Sequence, residues 1–173
     1  MEDKGKIPVT RLNKYYTDDD FRMDLESARD IIEGDGNNTV ILYRIDHVNT
    51  NSDDIYGESN INEVRYLPPV ELKVIVTLDP ADIKSYNNNG TLRNETYGNL
   101  HFIVIKQQLI EKQVTISYGD IVGYSDSENN LKYFSVSNPN YINTSTEQLF
   151  LGYRPYTNEV VCVTINDDEF NGV

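Results

Sequence analysis

Apolar and polar residues alternate most cleanly over residues 70–78. Val70, Leu72, Val74, Val76 and Leu78 fall on one face, and Glu71, Lys73 and Thr77 on the other. A period of two is that of a half-buried strand. Residues 40–48 repeat it in part, with Ile41, Tyr43 and Ile45 on one face and Arg44 and Asp46 on the other. Residues 100–105 read as a further strand, and short apolar runs follow at 114–117, 121–124, 131–137, 149–153 and 160–165. Turn signals separate these runs at Gly119-Asp120, residues 125–130, Asn138-Pro139-Asn140 and residues 155–158. The stretch 107–112 fits a helical turn or a strand bend. Only one segment carries the helical period: Phe21, Leu25, Ala28 and Ile32 recur on one face. Thr17-Asp18-Asp19-Asp20 supplies capping oxygens and negative charge at its start, and Gly34 fits its end.

These elements predict a mainly β fold: a single-domain β-sandwich or small barrel with one N-terminal helix and long loops. The helix is placed at about residues 20–33, and the strands span about 39–166. Residues 1–16 are polar and read as an extended N-terminal arm, with 17–173 forming the one β domain. The Asn- and Gly-rich stretch 79–99 reads as a long insertion.

Composition narrows the function classes. The chain has 173 residues, enough to bury a sizeable core, and a formal net charge of −13. Such a surface repels phosphate, so tight nucleic-acid binding and docking on anionic membranes are disfavoured. Thirteen tyrosines and no tryptophan suggest rings turned inward with hydroxyls on water or on a neighbouring subunit. The start Met1-Glu2-Asp3-Lys4-Gly5-Lys6 has no apolar core behind a basic region, so no secretion leader is expected. Glycosylation-type triplets at Asn37, Asn89, Asn94 and Asn143 then read as chance matches in an Asn-rich chain. No run reaches the length of a membrane-spanning helix. The single cysteine, Cys162, stands among Val160, Val161 and Val163 and reads as a buried, unreactive hydrophobe.

Candidate chemistry is sparse. Asp53, Asp54 and Glu58 gather three carboxylates around Tyr56 and Gly57. Hard cations take several carboxylate oxygens, but the spacing misses the EF-hand pattern. A solvated turn or a subunit contact is the better reading, with Tyr56 as an anchor and Gly57 free to adopt a positive φ. His47 and His101 are each placed on a strand, as structural histidines; Asp46 and His47, being adjacent, point to opposite faces and form no relay. Asp120, alone in its turn, is weak evidence for catalysis. Arg154-Pro155-Tyr156 reads as a surface contact. No catalytic residue, metal ligand or cofactor site is expected.

Three segments acquire meaning from their order. The loop Ser52-Asp53-Asp54-Ile55-Tyr56-Gly57-Glu58-Ser59 follows the first strand. The turn Tyr118-Gly119-Asp120-Ile121-Val122 opens a later one. The block Glu147-Gln148-Leu149-Phe150-Leu151-Gly152-Tyr153 leads into the strand that holds Cys162. This order resembles that of the neck, or head-completion, proteins of long-tailed bacteriophages, in patches over about residues 40–170. The resemblance implies a structural virion protein at the head–tail interface, assembled in the host cytoplasm, and no enzyme. It implies a homo-oligomeric ring of six or twelve copies, portal-side and tail-side virion proteins as partners, and DNA passing nearby without specific binding. Assembly contacts are then expected at Asp53, Asp54, Tyr56, Gly57, Glu58, Arg154 and Tyr156. The alternative is a β-sandwich module that recognises a protein or carbohydrate through surface tyrosines.

Overall fold

The computed structural model describes residues 16–36, 38–50, 64–79, 98–125, 130–141, 155–165 and 170. The element order is α1 (Asp18–Arg29), a π-helical turn (Asp30–Asp35), β1 (Thr39–Tyr43), β2 (Val70–Lys73), β3 (Ile75–Leu78), β4 (Leu100–Ile105), α2 (Lys106–Glu111), β5 (Ile121–Ser125), β6 (Leu131–Asn138) and β7 (Thr157–Thr164). The fold is mainly β, as the alternation predicts.

The strands form one antiparallel seven-stranded sheet in the order β2-β1-β5-β6-β7-β4-β3. β2 and β3 stand at opposite ends of this order, yet only Val74 separates them in sequence. The run 70–78 therefore joins both ends of the sheet and closes it into a small barrel. The strand expected there is interrupted only at Val74, where its partner changes: the first half pairs with β1 (Lys73 opposite Thr39) and the second with β4 (Ile75 opposite Ile103).

The inward faces carry the alternating apolar residues. Val40, Leu42, Leu72, Val74, Phe102, Val122, Phe134 and Cys162 are at most 1% exposed and belong to one cluster. Val114 and Ile116 join that core from the segment after α2. Residues 114–117, expected as a strand, pair with no strand. Their apolar side chains are buried in the core, while the Val114 N–H bonds back to the Leu109 carbonyl at 2.9 Å.

The outer face carries two smaller clusters. Phe21, Leu25 and Ile32 of the α1 region cover Ile105, with Tyr16 and Tyr156 packed at the margin. This is the predicted helical face, and α1 starts on a capping box between Thr17 and Asp20. The helix runs on past Arg29 as a π turn, so Gly34 lies inside it and Gly36 ends it, its N–H reaching the Ile31 carbonyl at 2.8 Å. Tyr43, Ile121 and Phe170 form a third cluster with Ile41, Tyr66 and Tyr133. The Tyr43 and Tyr133 rings meet edge to face at 6.2 Å over Gly123. A Cβ on Gly123 would sit 3.5 Å from each ring, at ordinary van der Waals contact.

Candidate functional site

The sheet's closing corner is held by α2. The Lys73 N–H donates to Gln108 Oε1 at 2.9 Å, and Gln108 Nε2 donates to the Lys73 carbonyl at 3.2 Å. The side-chain amide thus stands where a neighbouring strand's peptide would stand. The Lys112 ammonium donates to the Glu71 carbonyl one step further along the same edge. Gln108 Nε2 also donates to Glu33 Oε1 at 3.0 Å, tying the π turn to the corner. Arg29 completes the link: its Nε meets Glu33 at 2.7 Å, and its two terminal nitrogens grip Glu111 at 2.8 and 2.6 Å. Those bonds raise the Arg29 pKa, and the Arg29 guanidinium holds the Glu111 carboxyl below its ordinary value. The stretch 107–112, open between helical turn and strand bend in the sequence, is a helix because Gln108 has to face the break between β2 and β3.

A second node lies under the Gly119-Asp120 turn, where Gly119 takes a φ of 86°. Asp120 is 2% exposed. Its Oδ1 accepts from the Ile45 N–H at 3.0 Å and its Oδ2 from the Ser117 N–H at 2.7 Å. Its carbonyl accepts from the Val136 N–H at 2.8 Å. One residue therefore pins the end of β1, the segment before β5, and β6. Burial pushes the Asp120 carboxyl above its ordinary value of 3.8, outweighing the two N–H donors that act the other way. A raised folded pKa contributes stability that is fully present below 3.8 and lost as pH rises through the folded value. The stability of the native chain relative to an Asp120→Asn variant, which cannot titrate there, is accordingly expected to be greatest in acid and to shrink on raising the pH. Urea titrations of both chains across that range check the sign.

His101 projects from β4 between two carboxylates. Its Nε2 lies 3.1 Å from Asp79 Oδ2, and its Nδ1 lies 3.6 Å from Glu159 Oε1. The ring meets Tyr141 edge to face at 6.2 Å. The two carboxylates address different nitrogens, so they do not converge on one cation. Among the described residues no group of three or more His, Cys, Asp or Glu is arranged to hold a metal ion. His47 lies in a turn, not on a strand. The strand ends early because Asp46 caps that turn, its Oδ1 accepting from Val48 and Asn49 N–H at 3.0 and 3.2 Å and its Oδ2 from Asn49 Nδ2 at 2.6 Å.

No protein-family model, curated protein or solved structure matches the chain.

Of the expected contact residues, Asp53, Asp54, Tyr56, Gly57, Glu58 and Arg154 lie outside the described residues. Tyr156 is half-buried, and its ring meets Phe21 edge to face at 6.1 Å, so it anchors α1 to the barrel. Tyr16, assigned to the arm, packs in the same cluster and donates to Asp24. Cys162 is fully buried on β7, where burial pushes its thiol up to about 12. The native protein is expected to resist thiol reagents and to react only on unfolding. Rapid labelling without loss of structure would contradict that. Among the described residues no helix is long and apolar enough to cross a membrane.

Sequence reasoning missed Gln108 and undervalued Asp120. Each had a signal: a polar residue at the border of an apolar run, Gln107-Gln108 before Leu109-Ile110 and Asp120 before Ile121-Val122.

Proposed function

We propose that the protein is a structural connector subunit of a tailed-phage virion, part of a neck ring between portal and tail. The observation that carries the reading is the order of the three segments, of which Gly119-Asp120-Ile121-Val122 opens β5. Further support comes from how the buried and half-buried polar residues are employed. Asp120, Gln108, Glu33 and Arg29 are bonded to one another or to the barrel backbone, as suits a rigid building block. The net charge of −13 suits a ring around a DNA path, because a lumen lined with carboxylates repels the duplex and lets it slide. The partners in this reading are further copies of the chain and the virion proteins on either side.

Two changes test it in the phage. Tyr56→Ala, or deletion of residues 1–15, which spares Tyr16 in its cluster, is expected to leave the subunit's circular dichroism and melting unchanged but to lower the yield of joined heads and tails by at least about tenfold. Normal particle yield from both variants overturns the reading. Tyr118, 75% exposed, favours a second reading, a module that binds protein or carbohydrate through tyrosines. That module would stay monomeric in light scattering with the adjacent virion proteins present, where the connector would assemble.

A further inference from the structure

Among the described residues, the closed barrel leaves a stretch of strand edge without a neighbour at β3. The Asp79 N–H bonds to the Asn99 carbonyl at 2.9 Å, which fixes the hydrogen-bonded pairs between β3 and β4. By alternation, Thr77 with His101 and Ile75 with Ile103 are bonded pairs. The N–H and C=O groups of Val76 and Leu78 therefore point away from β4. β2 has the same geometry on its own outer side, but Gln108 and Lys112 occupy that edge. At β3 no hydrogen bond from another described residue reaches the outer groups of Val76 and Leu78. The edge is also apolar: Ile75 is 39% and Leu78 47% exposed, and residues 75–78 include no charge and no proline. An uncharged, unblocked edge of this kind is a template for an added strand.

We propose that the β3 edge receives residues 6–9 of the N-terminal arm of a second copy of this chain, as an antiparallel strand. The proposal rests on the connector reading, since it supplies the contact between neighbouring subunits. Charge selects the occupant. Residues 1–15 hold Lys4, Lys6, Arg11 and Lys14 against Glu2 and Asp3, a net +2 within a chain of −13, so the remainder carries −15. Pro8 selects the register. It has no N–H to give, so it belongs at a position facing away from β3, which leaves Ile7 and Val9 to bond. Antiparallel pairing then sets Ile7 opposite Leu78 and Val9 opposite Val76, using every open group of the edge. The same register brings Lys6 opposite Asp79, the exposed carboxylate beside His101. Pro8 on the far side then stops any further strand from adding. A contact of arm on edge joins two different patches, and such heterologous contacts close rings.

The test uses a chain lacking residues 1–15 and a fluorescent peptide of those residues, followed by anisotropy. The peptide is expected to bind, and N-methylation at Ile7 and Val9 is expected to weaken it at least about tenfold, since the methyl groups remove both strand donors while charge is kept. Leu78→Pro in the protein removes one outward N–H and is expected to weaken binding similarly; the peptide-side change reads the same bond where that variant fails to fold. No binding, or binding unaltered by N-methylation, overturns the proposal, the latter assigning the attraction to charge alone. Dimers of the truncated chain abolished by Leu78→Pro would assign the edge to self-pairing instead and overturn it too. Ring formation with the virion proteins is a separate readout, so failure here is distinguishable from failure of the connector reading.

Discussion

Replacing Gln108 by alanine is expected to lower the unfolding free energy by about 2–4 kcal/mol. The loss comes from what is left behind. Gln108 is 3% exposed, and its amide serves the Lys73 N–H, the Lys73 carbonyl and Glu33 Oε1. Without it two peptide groups at the end of β2 lose their partners, and a carboxylate loses a donor. Each such group costs about 1–3 kcal/mol when it stays dry, and water entering the gap recovers part of that. Gln108→Glu keeps the acceptor for the Lys73 N–H but sets a second carboxylate against Glu33, so it is expected to destabilise at least as much at neutral pH. Urea unfolding of both variants, with unchanged denaturant slopes, measures this. A loss below about 1 kcal/mol for the alanine variant would show that the corner closes without the amide.

Asp120→Ala is expected to cost about 3 kcal/mol, again through unpaired peptide donors. The Ile45 and Ser117 N–H groups both end on its carboxylate. The carbonyl bond to the Val136 N–H belongs to the backbone and survives the change. Local opening is expected first where the carboxylate acted. Hydrogen exchange at Ile45 and Ser117 should accelerate by at least about tenfold, while Phe102 and Val160, in the β4–β7 pair, keep their protection. Uniform acceleration across the sheet would assign Asp120 a global role in place of a local one.

The fold was legible where burial follows a simple period. The alternation from Val70 to Val76 and the stripe of Phe21, Leu25 and Ile32 both name residues that pack inward. The outward face of β1 was legible too, but its meaning was not. Ile41 and Tyr43 alternate cleanly because a second apolar cluster, completed by Phe170 from the far end of the chain, covers them. Only tertiary structure brings those residues together. The change of partner at Val74 had no signal, since neither glycine nor proline marks it; closure of the sheet imposes it. His47 was misplaced because Asp46 also reads as a strand residue, and its capping bonds appear only in three dimensions. For the candidate contacts, sequence order carried all the information on the loop at Asp53 to Glu58. The β3 edge could not be read at all, because an open strand edge is a property of pairing and leaves no trace in composition.

Negative-stain microscopy of the protein mixed with the virion proteins encoded beside it tests the connector reading most directly. The account predicts rings of six or twelve copies with a central channel, seated on a portal or a tail end. Dispersed single subunits, in a mixture whose other components assemble among themselves, would contradict it.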